Sequence, residues 1–159
     1  MSTQEKFTFF WNGPFSQWYD SPFTVDGVSY NCCEQYMMAK KAMLFGDSAA
    51  LLSIMNSTSP KEQKAIGRKV RGFDESQWNA VVKDIVYRCN MAKFTQDPKL
   101  GTSLFQTSGT TLVEASPYDK IWGIGLKESD PRAQDRNRWE GKNWLGEILT
   151  QLRDDLLIY

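Results

Sequence analysis

Apolar and polar positions along the chain fall into short blocks separated by glycine, proline and capping residues. Phe7 to Trp11 is an aromatic run of strand character, and Asn12-Gly13-Pro14 ends it and opens a loop through Ser16, Gln17, Trp18 and Tyr19. Phe23 to Tyr30 predicts a hairpin that pivots on Asp26-Gly27, a pair that readily supplies positive φ in a tight turn. Three helix starts carry their own caps. Asp47 precedes a helix running to Met55, Ser59-Pro60-Lys61-Glu62 combines an N-cap with a first-turn proline and a third-position glutamate, and Asp74-Glu75-Ser76-Gln77 opens a longer helix. In that longer helix Trp78, Val82, Ile85, Cys89 and Ala92 make the expected apolar stripe. Asp97-Pro98 starts a short helix ending around Gly109, Thr111 to Ala115 is a strand, and Ile121 to Leu126 is a second strand or a tight loop. Lys127 to Lys142 is charged and long for a loop, which predicts a mobile flap or binding loop. The final helix places Leu145, Ile148, Leu149, Leu152 and Leu156 in the core.

The helix expected over Glu34 to Phe45, starting near Asn31, changes this picture. At about 100° per residue Glu34, Met38, Lys41 and Phe45 form one narrow line, flanked by Met37, Ala42 and Leu44, while Tyr36, Lys40 and Met43 look the other way. One of two adjacent lysines is therefore free to reach solvent, and the other shares a face with the acid. Ionisable groups on an apolar stripe are costly to desolvate and mark a candidate site. Two plainer readings stand beside this one: Glu34 as a capping residue, and Lys41 as an extended side chain covering apolar surface.

Composition narrows the chemistry. The chain has 159 residues, a length suited to one domain with a sizeable core, and its 19 basic residues balance its 19 acidic ones. No net field draws it to nucleic acid or to an acidic membrane. Histidine is absent, which excludes Ser-His, Cys-His and His-metal mechanisms and leaves acid–base work to carboxylates, lysine, tyrosine or cysteine. Cys32, Cys33 and Cys89 lack metal-ligand spacing and read as free thiols in a reducing compartment. Cys32 and Cys33 lie where a helix N-terminus can lower a thiol pKa, although no base or resolving partner is visible. Met1 to Lys6 has no apolar run of the signal-peptide kind and no window is long enough to span a bilayer, so a cytoplasmic protein without membrane partners is expected.

Read together, these residues resemble the NADAR family of YbiA-like N-glycosidases. The likeness rests on Ser16 with Trp18-Tyr19 and Ser21-Pro22-Phe23, on Glu34-Gln35-Tyr36 with Ala39 and Lys41-Ala42, and on Gly67-Arg68. It continues through Trp78, Ala92-Lys93-Phe94, Leu112-Val113-Glu114, Asp119 with Trp122-Gly123 and Gly125, and Asn143 with Leu145-Gly146. Two departures stand out: Ser16-Gln17-Trp18-Tyr19-Asp20 replaces the usual Ser-Asn-Phe-Tyr-Pro, and the loop after Leu126 is richer in charge.

The resemblance implies an α+β fold, a single mostly helical domain over residues 1–159 with a few short strands. It implies a hydrolase that cleaves the N-glycosidic bond of a ribosylated or ADP-ribosylated substrate without metal or cofactor. The candidates are a ribosylamino-pyrimidine phosphate of riboflavin synthesis and an ADP-ribosyl adduct on guanine, free or as a modified nucleic-acid base. Cleaving a ribosyl C1′–N bond builds oxocarbenium character, so such a site wants a nucleophile or anion beside C1′ and an acid at the leaving nitrogen. Family likeness makes Lys41 a nucleophile that holds an opened ribose as a Schiff base, with Glu34 and Asp119 for proton transfer and charge stabilisation. Trp18, Tyr19, Arg68, Trp78, Trp122, Gly123 and Asn143 are the expected substrate-binding residues.

Plainer alternatives remain for several of these. By spacing alone Asp119 after Ser116-Pro117 closes an Asx-turn, and Trp78 is core by periodicity. Trp18 and Tyr19 either stack on a base or sugar or plug the core, and Arg68 binds a phosphate or pairs with an acid. The rival function is a non-catalytic module that senses NAD or ADP-ribose.

Overall fold

The computed structural model describes residues 4–158, so part of the Met1 to Lys6 reading lies outside the described residues. In chain order the elements are β1 (Phe7–Phe10), β2 (Phe23–Val25), β3 (Val28–Tyr30), α1 (Cys33–Leu44), α2 (Ser48–Met55) and α3 (Pro60–Gly67). They continue with α4 (Glu75–Gln96), α5 (Pro98–Phe105), β4 (Thr111–Glu114), 3-10 turns at Pro131–Gln134 and Arg136–Arg138, and α6 (Trp144–Leu157). Among the described residues no helix is long and apolar enough to cross a membrane. The chain divides into two compact units, Gln17–Asp97 and Met1–Ser16 with Pro98–Tyr159.

In the unit Gln17–Asp97, α1 packs against α2, α3, α4 and β3. From Cys33 to Ala39 it is therefore buried on every face rather than on one. Every residue from Cys33 to Ala39 is buried, whereas Met43 and Leu44 near the C-terminal end are exposed. This corrects the expected stripe at two positions. Tyr36, placed outward by periodicity, is buried edge-on to Tyr30 at 4.9 Å, and burial pushes its phenol up to about 12. Leu44, placed on the flank of the buried line, is exposed.

The start of α1 also differs from the expected capping box. Its N-cap is Cys32, and Gln35 rather than Glu34 reaches back, its Oε1 accepting the Asn31 N–H at 2.7 Å. The other three caps form as their residues dictate: Asp47 accepts from Ala50, Ser59 from Glu62 and Asp74 from Gln77. The hairpin turns through Asp26 and Gly27, both at positive φ, and pairs β2 with β3 antiparallel. In α4 the buried residues are Val82, Val86, Cys89, Asn90, Ala92, Lys93 and Phe94. Trp78 and Ile85, expected in the core stripe, are only half-buried. Gly67 closes the approach of α3 to α1, because a Cβ there would run into the Met38 sulfur.

In the other unit, β1 and β4 pair in parallel, with Phe7 opposite Thr111 and Phe10 opposite Glu114. Helix α6 packs on β4 with Leu145, Leu149 and Leu152 fully buried, and Ile148 and Leu156 half-buried. Arg153 is buried beside them and donates to both the carbonyl and hydroxyl oxygens of Thr107. Residues 121–126 form irregular backbone rather than a strand, tied at both edges: Ile124 N–H donates to Glu114 and Glu140 N–H donates to Ile124.

The segment 127–142 contradicts the expectation of a mobile flap. Ala133 joins Val113, Ile124 and Leu126 in a buried cluster against which Phe7, Phe9 and Trp139 pack. Arg132 bridges Asp130 and Glu140, Arg136 bridges Glu5 and Glu147, and the Trp139 indole donates to the Ala133 carbonyl. Part of the charge that suggested a solvated loop is engaged in these pairs.

Candidate active site

Lys41 leaves α1 at the turn where the helix begins to emerge, and aromatic rings receive its ammonium. Nζ lies 4.5 Å from the centre of the Phe73 ring and 5.9 Å from that of Trp78. Partial burial holds its pKa below the usual lysine range. The Glu34 carboxylate pulls it back up, and the Arg68 guanidinium pushes it further down. Lys41, Glu34, Arg68 and Trp78 are thus brought into mutual influence within one unit. Lys40 goes elsewhere, its Nζ 5.3 Å over the Tyr36 ring, so the two neighbouring lysines do face different partners.

Phe73 was missed by sequence reasoning. It follows Gly72, which adopts positive φ, in an irregular stretch with no periodicity to mark it. Its ring also meets Phe45 edge-on at 5.4 Å, and Phe45 lines an open depression with Gly46, Asp47, Ser48, Ala49, Arg71 and Gly72. That depression contains none of the expected site residues, and its carboxylate, Asp47, already accepts from the Ala50 and Arg71 amides.

Glu34 is buried and fixes the preceding loop, since its backbone N–H donates to the Gln17 carbonyl at 3.0 Å. Trp18 and Tyr19 follow, 43% and 38% exposed, so they present aromatic surface rather than plugging the core. Each is approached by a lysine: Lys64 Nζ lies 5.8 Å from the Trp18 ring and Lys93 Nζ 5.7 Å from that of Tyr19. Lys93 was also missed as a candidate. It is 1% exposed, and burial lowers its pKa against the opposing influence of Cys33, Cys89 and Cys32. Its signal was present, since it continues the Val82, Val86, Asn90 line of α4 at helical spacing.

Cys32 and Cys89 are not activated thiols. All three cysteines are free and buried, and burial raises Cys32 to about 11, contrary to the expected depression at a helix start. The thiols donate instead to Gln63, Asn90 and the Val86 carbonyl.

The remaining candidates belong to the other unit. Asp119 Oδ1 accepts the N–H groups of Ile121 and Trp122 at 2.9 and 2.8 Å, the Asx-turn that spacing favoured. Trp122 meets Trp144 edge-on at 5.5 Å. Gly123 is required by packing, because a Cβ would press on the carbonyls of Glu114 and Asp119. Asn143, buried at φ 52°, accepts the Glu114 N–H through Oδ1 and donates to the Leu112 carbonyl through Nδ2. Both ends of its amide are committed to β4.

Comparison with known proteins places this geometry in context. The NADAR domain family model matches residues 9–157. Protein irg-1 of Caenorhabditis elegans is 44% identical over 131 residues, covering 81% of this chain but only 62% of irg-1. N-glycosidase R617 of Acanthamoeba polyphaga mimivirus is 42% identical over 146 residues, covering 89% of this chain and 86% of R617. The chloroplastic riboflavin biosynthesis protein PYRR of Zea mays is 34% identical over 139 residues, and the match spans 83% of this chain and 20% of PYRR. Among solved structures, the NMR structure of the E. coli protein YbiA superimposes with a TM-score of 0.80 at 28% identity, covering 99% of this chain and 88% of YbiA.

Proposed function

The chain belongs to the NADAR family, and from that premise we propose that it is an N-glycosidase-type hydrolase of ribosylated substrates that works through covalent catalysis by Lys41. The observation that carries the reading is the setting of Lys41: an amine between two aromatic rings, partly desolvated, with a carboxylate and a guanidinium acting on its charge. A lysine nucleophile must be neutral, and both burial and Arg68 favour the neutral form. The names of R617 and PYRR support, respectively, glycosidic-bond cleavage and a link to riboflavin chemistry.

In the proposed sequence the C1′–O4′ bond breaks with its electron pair going to O4′, which takes a proton from solvent, while the nitrogen lone pair forms an iminium at C1′; neutral Lys41 Nζ adds there and loses a proton to Glu34. The base leaves with that proton as the C1′–N bond breaks, so that C1′ is held as a lysine Schiff base. Water adds to C1′, the carbinolamine collapses, and the free amine and an aldehyde that recloses to ribose are released. Each step conserves the pair of electrons and the proton exchanged between Lys41, Glu34 and the leaving base. Phe73 and Trp78 flank the amine, and Trp18 and Tyr19 offer flat surfaces for a base or sugar. Arg68 is suited to a substrate phosphate.

The finer substrate follows from a panel. ADP-ribosylated guanosine, a ribosylamino-pyrimidine phosphate, free ADP-ribose and NAD are each incubated with the protein and scored for released base. Release from one of the first two assigns the leaving group. Binding of ADP-ribose or NAD with no release from any ribosylated substrate favours the sensor reading instead.

A further inference from the structure

Gln17 carries a buried donor whose partner the protein does not supply. The residue is 8% exposed, and its Oε1 accepts from Asn90 Nδ2 at 3.0 Å. Helix α4 decides which end of the Gln17 amide points away. Asn90 Nδ2 also donates to the Val86 carbonyl at 2.8 Å, and Asn90 Oδ1 accepts the Cys33 thiol at 3.6 Å. Turning Asn90 over would set oxygen against a carbonyl, so Asn90 presents a donor and Gln17 must answer with its oxygen. Nε2 is left facing elsewhere, buried, with no hydrogen-bond acceptor among the described residues. A buried donor without an acceptor is destabilising, and one so firmly oriented calls for an explanation.

We propose that Gln17 Nε2 is a substrate-binding donor that takes an oxygen of the ribosyl group, an inference that rests on the N-glycosidase reading above. The loop that carries it is bonded through the Gln17 carbonyl to the backbone of Glu34, the residue whose carboxylate acts on Lys41. A donor tied to that position serves the part of the substrate handled by this acid and amine, which is the sugar. A neutral amide suits a hydroxyl or ring oxygen, whereas a phosphate is better held by a cation. The Val86, Asn90, Gln17 relay gives the donor a fixed aim, so the group is oriented before substrate arrives.

The test is the side-chain amide signal of Gln17 in the full-length 15N-labelled protein, titrated separately with ADP-ribose and ribose 5-phosphate. The expected result is a downfield displacement of the Gln17 Nε2 protons with both probes. Gln17→Met should weaken ADP-ribose binding about tenfold, the loss of one hydrogen bond. If backbone signals around Lys41 respond while the Gln17 amide does not, the donor is satisfied otherwise, and this inference falls while the functional reading stands. If neither region responds to either probe and the panel shows no release, both fall together.

Discussion

The reactivity of Lys41 turns on what sets its charge. Burial lowers its pKa first, Glu34 opposes, and Arg68 adds to the lowering, so each neighbour has a sign that can be read from rates. Arg68→Ala removes a cation, raises the Lys41 pKa and should move the limb of the pH–rate profile that reports the neutral amine to higher pH. Glu34→Gln should move that limb to lower pH while also reducing the maximal rate through loss of the proton acceptor. A limb that stays still in both variants would mean that another group titrates. Lys41→Ala should cut turnover roughly a thousandfold or more with the fold retained, whereas Lys40→Ala, whose side chain lies over Tyr36, should stay within about twofold, both measured as base release. Lys41 was legible because an amine and a carboxylate recurred at helical spacing on apolar positions. Lys93 obeyed the same rule and was passed over, while Phe73 had no periodicity to announce it and Gln17 acquires its meaning only through Asn90, 73 residues away.

At the element scale, close approach of backbones sets the geometry. Gly67 lets α3 lie against α1, and Gly146 lets α6 lie against β4, but the obstacles differ in kind. A Cβ at Gly67 meets the flexible Met38 side chain, whereas one at Gly146 meets the Leu112 carbonyl and the Asn143 amide. Gly67→Ala should therefore cost about 1–3 kcal/mol of stability, and Gly146→Ala about 3 kcal/mol or more, in urea unfolding. Similar small costs for both would contradict the packing described. Helix starts were the most legible feature of the chain, since Asp47, Ser59 and Asp74 cap through local chemistry that a sequence carries intact. The segment 127–142 was misread because charge alone does not distinguish solvated groups from paired ones. Here Arg132 and Arg136 find acids both near and far along the chain, the farthest being Glu5.

For the whole molecule, the α+β fold class was what the family likeness implied, that likeness is matched over residues 9–157, and the observed helices and short strands agree with it. Pairing did not follow: nothing local in Phe7 to Phe10 indicates a parallel partner at Thr111 to Glu114, a segment far away along the chain. The buried lysines also give global stability a pH dependence. Lys41 and Lys93 both have folded pKa values below that of an unfolded lysine, so the unfolded chain binds more protons in the window between them. Stability should thus rise as pH climbs toward the ordinary lysine value, and Lys93→Met should flatten that slope, measured by urea unfolding at a series of pH values. An unchanged slope would place the dependence elsewhere. The central claim, that Lys41 forms a covalent intermediate, is open to one direct measurement on the intact protein. Borohydride added during turnover of whichever ribosylated substrate releases base should fix a single sugar adduct, and intact mass followed by peptide mapping should place it on Lys41. Base release with no adduct, or an adduct on Lys40, Lys93 or any other amine, would contradict the account.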